Sequence, residues 1–230
     1  MPSISIILPV LNEAVGLAGA LEALAPLRAE GAEVIVVDGG SSDRSTEIAA
    51  PYANRVLDAP RGRASQMNAG AAVARGRVLL FLHADTRLPE SADRPIMQAI
   101  ASGRHWGHFD VCIDGNSAWL PVVARTMNWR SRLTGIATGD QAVFASREAF
   151  HAAGRFPDIP LMEDIALSRR LLNIGRPACL AARVATSGRR WETHGVLRTI
   201  LLMWRLRLRY FFGADPHRLA LEYGYVPRKS

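Results

Sequence analysis

Lysine is all but missing from this sequence. Of its 28 basic residues, Lys229 is the only lysine and the rest are arginine. Cysteine is nearly as scarce. Cys112 and Cys179 stand apart with no CxxC spacing, which excludes a zinc knuckle or a disulfide framework and fits a reducing compartment. No uncharged apolar stretch approaches the roughly 18 residues that a membrane span needs. The amino terminus, Met1-Pro2-Ser3-Ile4-Ser5, carries no basic region followed by a cleavage site, so no secretory signal is expected. A cytoplasmic location follows as the expectation, with contact at the inner face of the membrane as its widest form. Linkers, repeats and low-complexity segments are also absent.

What is present is an arginine-dominated net charge of +7 on 230 residues, 49% of them hydrophobic. Arginine makes paired hydrogen bonds to phosphates, so phosphorylated small molecules and anionic lipid are candidate partners, although an arginine-rich genome gives the same composition. Nucleic acid is not expected as a partner. The arginines are spread along the chain rather than set in one aromatic-laced stripe, and no nucleic-acid motif is present.

Val78 to Leu82 is a short apolar run ending in His83-Ala84-Asp85. Such a run reads as a strand buried on both faces, with its polar triplet at the carboxyl end, where open α/β sheets bind ligands. Alone, Asp85 is equally well a loop residue. Two further strands end in the same way, Ser3 to Val10 in Asn12-Glu13 and Glu33 to Val37 in Asp38. Helical spacing of Leu17, Leu21, Leu24 and Leu27 predicts one helix between those strands, stopping near Gly31. Ser45 to Ala50 and Arg63 to Ala74 read as helices, and Arg55 to Leu57 as a strand. This alternation predicts a doubly wound, mostly parallel sheet, and three polar strand tips together suggest a nucleotide site.

The second half is less regular. Strands are expected at Gly107–Ile113, Gln141–Ala145 and Ala178–Thr186. Helices are expected at Pro89–Ala101, Trp119–Leu133, Glu148–Gly154 and Met162–Ile174, with one long helix from Trp191 to Phe212. On that last helix Arg198, Arg205 and Arg209 share a sector at about 100° per residue, and Arg207 points the opposite way. The expectation is that its apolar residues pack against this domain or a second subunit, as in a homodimer; peripheral membrane contact is the alternative.

Ile7-Leu8-Pro9-Val10-Leu11-Asn12-Glu13, Val36-Val37-Asp38-Gly39-Gly40-Ser41-Ser42-Asp43, Gly62-Arg63-Ala64-Ser65-Gln66-Met67-Asn68-Ala69-Gly70, Phe81-Leu82-His83-Ala84-Asp85 and Met162-Glu163-Asp164 follow one another in the chain. In that order they resemble family 2 glycosyltransferases of the GT-A fold, most closely small soluble bacterial members assigned to arsenosugar biosynthesis. The resemblance implies an α/β, Rossmann-like GT-A domain over residues 1–190 and a C-terminal helical extension over 191–230. It implies inverting sugar transfer from a nucleotide-sugar, expected to be a UDP-sugar, to an unidentified hydroxyl acceptor.

The implied donor residues are Pro9, Asn12, Glu13, Asp38, Asp43, Arg61, Arg63, Asn68 and His83. Asp38 would meet the uracil, while Asn12, Glu13 and Asp43 would bond the ribose or frame the loop. Arg63 matches a Gly-Lys-Gly-like variant, and Met67 stands where the family more often has arginine. His83-Ala84-Asp85 occupies the family's DxD position, which implies Mn²⁺ or Mg²⁺ on Asp85 with His194 completing the sphere. His83 replaces the first acid and removes one negative charge. Asp164 is the implied general base; a helix cap is the plain alternative for the Glu163-Asp164 pair. Asp140, Glu163, Arg190 and Trp191 are expected on the acceptor side, Ser187 standing where processive members carry glutamine. A nucleotidyltransferase would want a glycine-rich basic loop after the first strand, which Asn12-Glu13-Ala14 is not, and a non-catalytic nucleotide-sugar binder is the other alternative.

Overall fold

The computed structural model describes residues 3–225. The first half is built as the alternation predicts. β1 (Ile4–Val10), β2 (Glu33–Asp38), β3 (Arg55–Asp58) and β4 (Val78–Phe81) lie parallel in the order β3-β2-β1-β4. Their side chains alternate between two apolar cores. Ile6, Leu8, Val34, Val36 and Leu80 fill one face, and Ile7, Ile35, Val37, Leu79 and Phe81 the other. Apolar residues at successive positions are what a strand covered on both faces requires. The parallel register sets the tips side by side, with Val10 opposite Asp38, and Asp38 opposite Asp58.

Between β1 and β2 the structure departs from the single expected helix. It forms α1 (Leu17–Glu22) and α2 (Ala25–Ala29), with Pro26 opening the second, because proline cannot donate into a preceding turn. α3 (Ser45–Ala49) and α4 (Arg63–Val73) complete the crossovers. Beyond β4 come a two-residue strand β5 (Thr86–Arg87), α5 (Asp93–Ala101), β6 (Trp106–Asp114) and α6 (Leu120–Thr134). A 3₁₀ turn at Gly139–Gln141 occupies what the sequence suggests is the start of a strand, and β7 is only Phe144–Ser146. α7 (Arg147–Ala152), α8 (Glu163–Leu172) and β8 (Ala178–Ser187) follow.

The sheet continues β4-β7-β6-β8-β5, antiparallel at β4/β7, β7/β6 and β8/β5 and parallel at β6/β8. The long expected C-terminal helix is two helices, α9 (Arg189–His194) and α10 (Val196–Phe211). Gly195, at φ 82° and ψ 136°, separates them; that backbone favours glycine and cannot continue a helix. α11 (Pro216–Tyr223), which the sequence reading leaves out, starts at an Asp215 cap and folds back on α10.

The apolar face of α10 is not covered by its own domain, the first of the expected arrangements. The covered side carries buried Thr199 and Leu206, and Leu206 packs with Leu161, Met162, Leu219 and Ala220. Leu197, Leu201, Trp204, Leu208, Phe211 and Phe212 are exposed instead. No described helix is long and apolar enough to cross a membrane.

Candidate active site

The loops after β1 and β2 are laced together by side chains. Asn12 adopts a positive φ of 56°, and its amide oxygen accepts from the Ser42 N–H at 2.8 Å. Asp43 accepts from the N–H groups of Ala14 and Ser45, each at 3.0 Å; the Ser45 hydroxyl bond does most to hold its carboxyl below the usual range. Buried Asp38 accepts from the N–H groups of Gly40 and Ser41, both at 2.8 Å. These three residues therefore shape the loops at the strand tips through the backbone. Pro9 lies within β1, and Glu13 donates its N–H to Ser45 at 2.8 Å.

Gln66 holds the same loops from below. From the buried face of α4, its amide nitrogen donates to the carbonyls of Val10 and Val37, each at 2.8 Å. The sequence reading passes over it, although a large polar side chain within a small-residue helix is a signal. Asn68, expected at the donor, has a partner within the fold. Its amide bonds the Phe156 backbone in both directions, at 2.9 and 3.1 Å, so it ties α4 to the loop before α8.

Farther along the sheet edge is a cleft of about 560 Å³ including its open mouth, lined by Arg63, His83, Gly139, Asp140, Glu163, Asp164, Met203, Arg207 and Tyr223. One Asp164 oxygen accepts from the Gly139 N–H at 2.8 Å. His83 Nδ1 lies 3.4 Å from Asp140 Oδ1, and the Asp140 side chain is 47% exposed toward the cleft. Surrounding protein tends to raise the Asp140 carboxyl, but the His83 hydrogen bond and the charges of His83, Arg63 and Arg207 hold it below its ordinary value. The histidine that replaces the first acid of the triplet thus has a partner in this chain. Gly139 is required by that arrangement, since a Cβ there would lie 2.3 Å from His83 Cε1.

Glu163 is buried at 4% exposure. Burial first, then the adjacent Asp164, push its carboxyl up, and Arg63 opposes them. Arg63 is itself held protonated: burial works against its charge, but Glu163, Tyr223, Asp140 and Asp164 outweigh it. Arg207 enters the cleft from α10 without a hydrogen bond to its buried Nε among the described residues. Arg130 of α6 has the same unpartnered Nε, and burial with the Arg207 charge lowers it to about 10. Arg207, Tyr223 and Met203 are absent from the expected site set. The opposite orientation of Arg207 on its helix was the signal available.

Other expected residues lie at or beyond the edge of this cleft. Arg190 donates to the Tyr223 carbonyl at 2.8 Å and sits 3.6 Å from the centre of that ring, bracing α11. Trp191 is partly buried and packs against the main apolar core. Arg61 stacks toward Tyr225 at 5.6 Å. His194 is exposed at the end of α9, its Nδ1 3.2 Å from the Arg190 carbonyl.

Asp85 is exposed one residue before β5. Burial and the Asp85 charge raise the Glu13 carboxyl, with Arg189 and Arg63 pulling it back. Among the described residues no three His, Cys, Asp or Glu side chains cluster at ligand spacing. That donor set fits a hard cation shared with substrate phosphates, which needs only one or two carboxylates, and does not fit an all-protein cage.

Residues 5–152 match the family described as Glycosyl transferase family 2. The chain is a family 2 glycosyltransferase. It is 38% identical over 111 residues to a PGL/p-HBAD biosynthesis glycosyltransferase of Mycobacterium tuberculosis, a match covering 45% of this chain and 43% of that protein. The transferase therefore spans under half the length of that curated relative. Its fold is similar to S. aureus TarS 1-349 solved in complex with UDP-GlcNAc, with a TM-score of 0.65, 17% identity, and coverage of 81% of this chain and 58% of the other. It is also similar to the mannosyltransferase PcManGT of Pyrobaculum calidifontis in complex with GDP-Man and Mn²⁺, with a TM-score of 0.61, 19% identity, and coverage of 80% and 56%. The mixed α/β domain is of the GT-A type these neighbours share.

Proposed function

We propose that the enzyme moves a sugar from a UDP-sugar to a hydroxyl acceptor with inversion, and that Asp164 is the general base. The observation that carries this reading is the Asp164 carboxylate at the start of α8, fixed by the Gly139 N–H beside the His83–Asp140 pair. A base must be rigidly aimed to take a proton during attack. In the step, Asp164 takes the acceptor hydroxyl proton as that oxygen bonds the anomeric carbon. The bond from that carbon to the diphosphate oxygen breaks, and its electron pair leaves with the nucleotide. Arg63 and Arg207 present positive charge on the cleft wall to the anionic substrate. Asp85 is the residue that would hold Mg²⁺ or Mn²⁺, whose charge would neutralise the departing diphosphate. Support for UDP over GDP comes from Asp38 at the tip of β2, whose carboxylate can accept from a uracil N–H, and from the UDP-GlcNAc in the TarS complex.

A thermal-shift comparison of UDP, GDP and dTDP with and without Mn²⁺ tests the donor, since ligand linkage reports binding without the acceptor. UDP is expected to give the largest shift, with Asp38→Ala weakening it; a larger shift with GDP overturns the assignment. Asp164→Asn is expected to keep the UDP shift and to lose turnover of the UDP-sugar by about 10²–10⁴-fold. Near-normal turnover would leave Asp164 as a helix cap.

A further inference from the structure

α10 divides its circumference into sectors with different surroundings. At about 100° per residue, Thr199, Leu206 and Tyr210 fall together on the side packed toward α11 and the start of α8. Leu197, Leu201, Trp204, Leu208, Phe211 and Phe212 fall within one sector directly opposite, and they are between 59% and 77% exposed. That sector contains no charged residue over the whole length of the helix. Contiguous apolar patches of this kind are uncommon on soluble proteins and mark interaction surfaces.

The flank of the stripe is cationic. Arg198, Arg205 and Arg209 lie together along one border, Arg198 exposed and Arg205 61% exposed. Glu222 of α11 meets Arg205 and Arg209, so the border keeps an excess of positive charge. A second copy would bring a chain of net charge +7 against itself, which like-charge repulsion opposes. An anionic bilayer offers the complementary surface, with headgroups for the arginines and acyl chains for leucine, tryptophan and phenylalanine. Trp119, which precedes α6, and Trp129 within it are also exposed, and tryptophan prefers the bilayer interface.

We infer that the outward face of α10 docks in the plane of an anionic membrane, with the arginine border at the headgroups. Arg207, about a quarter turn away on the same helix, lines the cleft, so docking holds the cleft beside the lipid surface.

Sedimentation of the intact protein with vesicles of phosphatidylcholine, alone or mixed with phosphatidylglycerol, tests this. The protein is expected to sediment with the mixed vesicles and to be released as salt rises. The triple variant Leu201→Ser/Trp204→Ser/Leu208→Ser should lower partitioning at least about tenfold. Arg198→Ser should lower it about fivefold at low salt and little at high salt. The UDP-induced thermal shift is measured on each protein, so loss of vesicle binding with an intact UDP response is distinguished from misfolding. A parent that shows no UDP shift but sediments with vesicles would sink the donor assignment and leave docking standing. Failure to sediment with either vesicle would overturn docking. So would equal partitioning of the triple variant, or a parent dimer that the triple variant converts to monomer without vesicle affinity.

Discussion

Glu163 carries an uncompensated part of its charge inside the protein, and that has a consequence for stability. Its carboxyl ordinarily titrates at 4.5 and is pushed up to about 7 by burial and by Asp164. A carboxyl raised in the folded state stabilises the fold below its unfolded value, and that contribution is lost as pH rises through the folded value. The melting temperature of Glu163→Gln relative to the parent should therefore climb between about pH 4.5 and 7 and be most favourable above pH 7. A difference that stays flat with pH would mean Glu163 is fully neutralised by Arg63. Gly139 gives a second test at this scale. Ala at 139 must displace the His83 ring, so Gly139→Ala should lose turnover and melt lower, while His83→Ala/Gly139→Ala recovers stability because the clash is gone. Additive losses in that double variant would refute the packing argument.

The elements divide into those that local pattern specifies and those that tertiary contacts specify. β1, β2 and β4 were readable because apolar runs bounded by polar tips admit few other structures. The framing role of Asn12 and Asp43 was readable too, since short polar side chains after a strand bond nearby backbone. The Phe156 partner of Asn68 was not legible, because a motif position says nothing of a residue 88 positions away. The break at Gly195 and the placement of Trp191 were hidden for a related reason: an amphipathic pattern continues across both helices, and only the positive φ and the core contact separate them. Gln66 shows what one such contact is worth. Removing its amide in Gln66→Ala takes away a donor shared by the ends of β1 and β2. The expected cost is about 1–3 kcal/mol in denaturant unfolding, together with a smaller UDP shift, because the two loops lose their common anchor. Stability reduced without any change in the UDP shift would confine Gln66 to the core.

Across the whole molecule, the parallel half carries the loops assigned to the nucleotide in the proposed reaction, and the second half carries Asp164, its proposed base, and a covering element. That cover is the α10–α11 pair, which sets Met203, Arg207 and Tyr223 into the cleft wall. It is held by apolar contact of Leu206, Leu219 and Ala220 with Leu161 and Met162, and by Arg190 under the Tyr223 ring. A glycosyl donor beside a fixed carboxylate is open to attack by water as well as by acceptor, so the cover has a chemical use in excluding water. Tyr223→Ala removes a half-buried ring from the cleft wall and takes the stacking partner from Arg190, while Leu219 and Ala220 stay in place to hold α11. Donor hydrolysis without acceptor, read as UDP release from the UDP-sugar, should rise several-fold in this variant, and Asp164→Asn added to it should abolish the gain. Unchanged or reduced hydrolysis in a Tyr223→Ala protein that still shows the UDP shift would mean that α11 positions substrate rather than shielding it.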